Sequence, residues 1–228
     1  MEEGLSLDRQ IAFRRAKMDY QDPPENTLRF AYEDGRFEKM ANELKYADDI
    51  LKLKVLRDLN EDLRDMTKII RAMNTSDVVH VLVHHLDNTH DEIRLLASQS
   101  MTEVCYVMRG RELIISNDYI KKISKLSDDN IAKIRWNCYK SLFNLSEHVD
   151  GTDACLANDI LELCVDKLIE EKEEDILYLI LQLIKRLLHG EGAVPRMLKT
   201  QGIVRLTGLL DKENEVVRHL YIITQTID

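Results

Sequence analysis

The stretch VVHVLVHHLDNTHDEIR, residues 78–94, decides the fold of this chain, because it holds a helix, a polar turn and the start of a second helix. Val79, Val83 and Leu86 recur at the three-to-four-residue spacing of one helical face. The turn that follows carries Asp and Asn, whose side chains can accept hydrogen bonds from the free amides that open the next helix. The stretch therefore predicts two consecutive helices that share one apolar core.

The same pattern returns about every 40 residues. Each copy is framed by a leucine that ends an apolar helix, and successive leucines are 42, 40, 42 and 42 residues apart: Leu44, Leu86, Leu126, Leu168 and Leu210. A helical repeat of this length is typical of α-solenoids, in which each unit buries its apolar side against its neighbours. We therefore expect an all-α, armadillo/HEAT-like α-solenoid of about four and a half repeats over residues 27–228, preceded by an extended N-terminal arm, residues 1–26.

A pair of residues opens the helix after each polar turn. The pairs are Ile93-Arg94, Ile134-Arg135 and Val217-Arg218, and the fourth copy has Ile176-Leu177. We expect the aliphatic residue to face the core and the arginine to reach acidic groups or carbonyl groups of an adjacent repeat. Trp136 follows one of these pairs, on a helix that we interpret as the first of its repeat and outside the inner surface.

A glycine marks a second repeated turn. It follows the framing leucine by 22 to 25 residues in three copies: Gly110, Gly151 and Gly190. A glycine fixed in this phase predicts a turn with positive φ between two helices. The helix upstream of each framing leucine is then expected to line the inner surface of the solenoid.

Composition narrows the class of function. The net charge is −9, whereas nucleic-acid-binding proteins usually carry a basic face. The longest apolar run, from Ile176 to Ile184, is too short to span a membrane. The chain opens with Met1-Glu-Glu and lacks the apolar segment of a secretory signal. We therefore expect a cytosolic or cytoskeletal protein that binds neither nucleic acid nor membranes.

Residues that could carry chemistry do not form a reactive pattern. The chain has four cysteines, none in a C-x-x-C pair: Cys105, Cys138, Cys155 and Cys164. Their apolar neighbours predict buried free thiols in a reducing compartment. His80 and His84 have the i, i+4 spacing of two metal ligands but lack the carboxylate of a zinc protease motif. We expect no catalytic residue, no metal site and no cofactor.

The candidate sites are therefore surfaces that bind other proteins. On the predicted inner helices, polar and basic residues suit an acidic partner segment: His80, His84, Lys121, Lys122, Lys125 and Arg205. No polar capping repeat follows the helix after Leu210. We expect the apolar residues of this open end to bind a covering partner: Val216, Leu220 and Ile223.

Residues 37–210 resemble armadillo-repeat proteins and, more narrowly, the family of armadillo proteins of the ciliary radial spoke. The likeness lies in Thr102-Glu-Val-Cys-Tyr-Val-Met108 after Ile93-Arg94, and in Tyr32 to Leu44 leading into Lys54-Val-Leu-Arg-Asp-Leu59. The resemblance implies a non-enzymatic structural subunit of a multi-subunit axonemal complex, located in the cytoskeleton of a cilium or flagellum. The alternative is a cytosolic armadillo adaptor that binds acidic or phosphorylated peptide segments.

Overall fold

The computed structural model describes residues 34–200 together with residues 202 and 204. Regular structure in this part of the chain is entirely helical. The α-helices are α1 (Asp34–Tyr46), α2 (Asp49–Asp62), α3 (Met66–Thr75), α4 (Val78–His85), α5 (Asp91–Tyr106), α6 (Met108–Ser116), α7 (Ile120–Ser124), α8 (Ala132–Leu145), α9 (Val149–Ala157), α10 (Ile160–Glu170), α11 (Glu174–Leu187) and α12 (Ala193–Lys199). A 3-10 helix, Lys125–Asp128, continues α7. The predicted all-α class is confirmed.

The helices are arranged as repeats of three. Each complete repeat has a short helix, a second helix that leads to a framing leucine, and a long helix: α3–α5, α6–α8 and α9–α11. Helices α1 and α2 are the last two of an earlier repeat, and α12 opens a later one. We name α2, α5, α8 and α11, which have 14 to 16 residues, the long helices.

The core lies where the repeats stack. Leu44, Leu86, Leu126 and Leu168 are all buried, as their spacing predicted, and Leu210 lies outside the described residues. Each buried leucine contributes about 1.5–3 kcal/mol of transfer free energy. In α11 the buried residues keep the spacing of one broad helical face, so this helix is amphipathic and packs between its neighbours.

The predicted arginine contacts are confirmed for Arg94 and Arg135, whereas Arg218 lies outside the described residues. Arg94 Nε lies 2.9 Å from Asp129 Oδ2 in the next polar turn. Arg135 binds Glu171 with two hydrogen bonds of 2.8 and 2.9 Å, again in the turn of the following repeat. Both arginines also donate to carbonyl oxygens of the turn that precedes their own helix. Each arginine therefore links two consecutive polar turns.

The prediction of positive φ at the repeated glycines is wrong. Gly110 and Gly151 lie inside α6 and α9, and among the described glycines positive φ occurs at Gly192 alone. A Cβ on Gly151 would lie 1.9 Å from the carbonyl oxygen of Leu145, and one on Gly110 would lie equally close to that of Val104. These glycines are needed because the short helix starts directly against the end of the long helix. At Gly190 the neighbours are side chains of the preceding repeat.

In two of the repeats the left-handed residue is an aspartate instead. Asp118 and Asp159 have φ of 54° and 58°, and each lies in the turn between a short helix and the second helix of its repeat. Asp and Asn adopt this conformation more readily than other residues that have a Cβ. The signal in the sequence is the dipeptide Asn-Asp, which occurs at residues 117–118 and again 41 residues later.

A buried histidine at the end of α4 predicts a loss of stability in acid. His85 is 3% exposed, and its Nε2 lies 2.9 Å from the carbonyl oxygen of Leu44, to which a neutral imidazole can donate. Burial is the main reason that the pKa of His85 lies below its ordinary value of 6.5. The stability that the neutral ring contributes is present above pH 6.5 and is lost as the pH falls through the lowered pKa.

We expect the urea midpoint of the full chain to fall over this pH range, and His85→Gln to reduce that dependence. His84→Gln, at the exposed neighbour, is the matched control; the charge of His84 is a lesser cause of the lowered pKa of His85, so this change should alter the pH dependence less. Equal pH profiles for the wild type and His85→Gln would show that this imidazole does not carry the effect.

Candidate partner-binding surface

The long helices pack against one another from repeat to repeat and form one continuous layer. The helices that lead to the framing leucines contact their counterparts less extensively. We therefore take the layer of long helices as the candidate partner-binding surface. The placement of the inner surface on the helices that lead to the framing leucines stays a prediction.

Buried polar side chains connect the long helices. Asn60 Nδ2 on α2 donates to the carbonyl oxygen of Leu96 on α5 at 3.0 Å. Asn144 Nδ2 on α8 donates to the carbonyl oxygen of Thr102 on α5 at 2.9 Å. A buried amide is costly without a partner, so these bonds fix the relative position of adjacent helices.

A groove of 310 Å³ lies between α5 and α8 on this layer. We name it the Trp136 groove, and its lining residues are Gln99, Thr102, Glu103, Tyr106, Lys133, Trp136, Asn137, Lys140 and Asn144. Trp136, Lys140 and Asn144 follow one another at intervals of four residues, so one face of α8 presents all three. The ring of Tyr106, which is half exposed, gives α5 an aromatic surface on the opposite wall.

Cations are held against the aromatic rings of α8. Lys133 Nζ lies 3.9 Å from the centroid of the Trp136 ring. The Phe143 ring has the guanidinium carbon of Arg186 at 3.8 Å and Lys140 Nζ at 5.1 Å. Each such contact contributes about 0.5–1 kcal/mol at an exposed site. The rings thus place positive charge in and beside the groove.

The groove has a single carboxylate. Burial raises the pKa of Glu103, and the charges of Arg64 and Lys140 act in the opposite direction. Two lysines line the groove with this one acid, and Arg186 lies beside it. The balance of charge therefore favours an acidic segment over a basic one.

The structure places the two predicted histidines on α4, away from the Trp136 groove. His80 and His84 are both exposed. His80 Nδ1 lies 2.6 Å from the hydroxyl oxygen of Tyr119, which directly precedes α7. His80 is thereby brought to the helix that carries the predicted lysines, and a binding role for either histidine stays a prediction.

The predicted lysines lie on α7 and its 3-10 extension. Lys121 and Lys125 are exposed, and Lys122 Nζ lies 4.0 Å from a carboxylate oxygen of Asp87 in the preceding polar turn. We name these three lysines the basic patch, and none of them lines the Trp136 groove. Arg205 and the open-end residues Val216, Leu220 and Ile223 lie outside the described residues, as does the predicted arm.

Sequence reasoning missed the Trp136 groove because it looked for the binding surface on the helix that leads to each framing leucine. The longest helical segments follow the polar turns, and length was the available signal. The spacing of Trp136, Lys140 and Asn144 by four residues was a second signal, because it places an aromatic, a basic and an amide side chain on one helical face.

Neither metal nor membrane chemistry is indicated within the described part of the chain. There, no group of three or more His, Cys, Asp or Glu side chains is positioned to hold a metal ion. Over the same residues, no helix has the length and apolarity needed to cross a bilayer.

The four free cysteines are buried, as predicted, and should be unreactive in the folded protein. Burial raises the pKa of Cys105 and Cys155 to about 12. Because the thiolate is the nucleophile, we expect no labelling by iodoacetamide at mildly alkaline pH and labelling of all four thiols in denaturing urea. Mass spectrometry measures both states, and rapid labelling of the native protein would contradict the burial of these thiols.

The stack of three-helix repeats is an armadillo-like solenoid. A designed armadillo repeat protein in complex with the peptide (KR)4 matches with a TM-score of 0.76 and 14% identity, over 85% of this chain and 82% of the other. A second match is a structure that concerns a phosphorylation switch controlling the interaction between cadherin and beta-catenin. Its TM-score is 0.71 and its identity 11%, over 95% of this chain and 40% of the other. At these identities the likeness shows the fold alone.

A sequence relative is known from Dictyostelium discoideum. It is a probable inactive serine/threonine-protein kinase, 27% identical over 164 residues, which are 70% of this chain and 13% of that protein. The chain thus corresponds to a small part of the relative's length. No family model matches the sequence.

Proposed function

We propose that this chain is a non-enzymatic scaffold subunit of the ciliary axoneme that binds other radial spoke proteins through its solenoid surface. The observation that carries the proposal is the armadillo stack with its continuous layer of long helices. A solenoid offers an extended surface along which several partner segments can bind. The axonemal location is supported by the resemblance over residues 37–210 to the armadillo family of the radial spoke.

Fractionation of motile cilia tests this proposal. The tagged full chain should stay with the axoneme after detergent extraction and should co-purify with radial spoke proteins. Trp136→Ala should reduce retention if the groove is a contact, whereas Tyr46→Ala, at an aromatic residue that is 83% exposed elsewhere, should not. Complete recovery of the wild-type chain in the detergent-soluble fraction would overturn the axonemal proposal.

A second function has its own supporting observation. The excess of positive charge in and beside the Trp136 groove suits a cytosolic adaptor that binds acidic or phosphorylated peptide segments. Lys133 and Lys140 can pair with carboxylates or phosphates, and the aromatic rings can pack on the aliphatic parts of the segment. The basic patch of Lys121, Lys122 and Lys125 is the competing location for the same ligand.

Two charge-reversal variants separate these locations. Lys133→Glu with Lys140→Glu should abolish salt-sensitive capture of an acidic phosphopeptide library, if the groove is the site. Lys121→Glu with Lys125→Glu changes the net charge equally and should leave capture intact. The opposite result would place the site on α7, and undiminished binding by both variants would overturn the adaptor proposal.

A further inference from the structure

An exposed apolar side chain recurs at the start of each short helix. Met66, Met108 and Val149 are 54%, 67% and 74% exposed, and Val194 in the first turn of α12 is 36% exposed. The first three are 42 and 41 residues apart, which is the period of the repeat. Single exposed apolar residues are ordinary, but equivalent positions of stacked repeats fall on one line. We name this line the edge stripe.

A groove accompanies the edge stripe between α6 and α9. Its volume is 410 Å³, and Met108 and Ile115 of α6 supply apolar surface to it. His148 and Asp150 at the start of α9 form the facing side. Arg111, Glu112 and Ser116 of α6 also line the groove, so it presents apolar side chains among charged ones, on the short helices and not on the long-helix layer.

The charge beside the edge stripe differs along the solenoid. Near Val149 the exposed side chains include Asp150 and Asp153, which form no ion pair with any residue that the structure describes. Near Met66, Arg64 and Lys68 are paired with Glu61 and Asp62. A basic amphipathic segment is therefore complementary to the unpaired acids at α9, and less so to α3, where these charges are balanced.

One segment of this chain has the matching pattern. Residues 11–18, IAFRRAKM, place Ile11 and Met18 seven residues apart and carry three basic residues between them. Seven residues of α-helix advance about 10.5 Å. Helices packed side by side are about 8–10 Å apart, so the two apolar residues match two consecutive positions of the edge stripe.

We propose that residues 11–18 dock on the edge stripe of the same chain, with Met18 over Met108 and Ile11 over Val149. The basic residues of the segment then face the acidic side chains of α9. Fifteen residues separate Met18 from Asp34, where α1 begins, and this tether can span about 50 Å when extended. Met108 lies two repeats beyond that of α1, about 20 Å along the stack, so the tether reaches α6. The proposal is independent of the proposed function, because it uses a different surface.

Cross-linking in the full chain tests the position of the segment. Because the four native thiols are buried, Met18→Cys combined with Met108→Cys supplies the two thiols that a short bismaleimide can join. The matched control is Met18→Cys with Met66→Cys, at the equivalent exposed position of α3, which is nearer to α1 along the stack. We expect the Met108 pair to cross-link within one chain at least fivefold faster than the Met66 pair.

Charge reversal tests the recognition. Asp150→Lys with Asp153→Lys should slow the Met108 cross-link at least fivefold, and adding Arg14→Glu with Arg15→Glu should restore it. Restoration would show that the loss was due to charge and not to unfolding of α9. Equal rates for the Met108 and Met66 pairs, products joining two chains alone, or a rate unaffected by reversal would each overturn the proposal.

Discussion

Gly151→Ala is expected to lower the free energy of unfolding by about 3 kcal/mol, the upper range for overpacking. The added Cβ would lie 1.9 Å from the carbonyl oxygen of Leu145, a backbone atom that cannot rotate away. Helix α9 would have to move away from the end of α8, which would disturb the packing of the whole repeat. Urea unfolding of the full chain, followed by circular dichroism, measures the change.

Gly192→Ala is the matched control. Gly192 has φ of +74°, and a Cβ there would meet nothing within 4 Å, so the substitution costs only the backbone strain of about 1 kcal/mol. Gly110→Ala should behave like Gly151→Ala, because its Cβ meets a carbonyl oxygen at the same distance. A loss at Gly151 no larger than that at Gly192 would contradict the close approach of short and long helices.

Arg135→Ala is expected to destabilise the protein by about 3 kcal/mol, because it leaves a buried carboxylate without its partner. The Glu171 side chain is 6% exposed and accepts both hydrogen bonds from the Arg135 guanidinium. The same arginine donates to the carbonyl oxygen of Asp129 at 3.0 Å. Its removal therefore loosens two polar turns together, and urea unfolding measures the effect.

Arg57→Ala provides the comparison. Arg57 pairs with Glu92 of the next repeat, but the two side chains are 58% and 44% exposed, so we expect a loss below about 1 kcal/mol. Burial alone would raise the pKa of Glu171, but its bonds from Arg135 and from backbone N–H groups lower it overall. The Arg135→Ala deficit should therefore shrink in acid, where the carboxylate is protonated. Equal losses for the two arginines at neutral pH would contradict this account.

The sequence predicted the repeat and its core because burial is periodic. A leucine recurs at the repeat position of Leu86, and an isoleucine recurs at the repeat position of Ile134. Both residues are buried, as their positions in the repeat predict. The role of the glycines was not predictable in the same way. A glycine in a repeated position indicates that a Cβ is excluded, but positive φ and a close backbone approach exclude it equally well. Gly151 belongs to the second case, and only coordinates distinguish the two.

The candidate surface was less accessible to sequence reasoning. Charged residues such as Lys121 and Lys133 look alike in the sequence, and the face that each occupies depends on which helix of the repeat lies on the inside. That choice is made by packing between repeats that are about 40 residues apart, which local periodicity does not record. The buried bond from Asn144 to the backbone of Thr102 is a contact of the same long-range kind.

The arginine links also determine how the solenoid would respond to a mechanical load. Arg135 ties its repeat to the next polar turn, but Leu177 occupies the corresponding place on α11 and cannot form this link. There the next helix is held by Arg196, which binds Glu162 of α10 at 2.6 Å, on the edge of the short helices. We therefore expect the two kinds of junction to respond differently to bending, because Arg135 holds the polar-turn side of its junction and Arg196 holds a short helix.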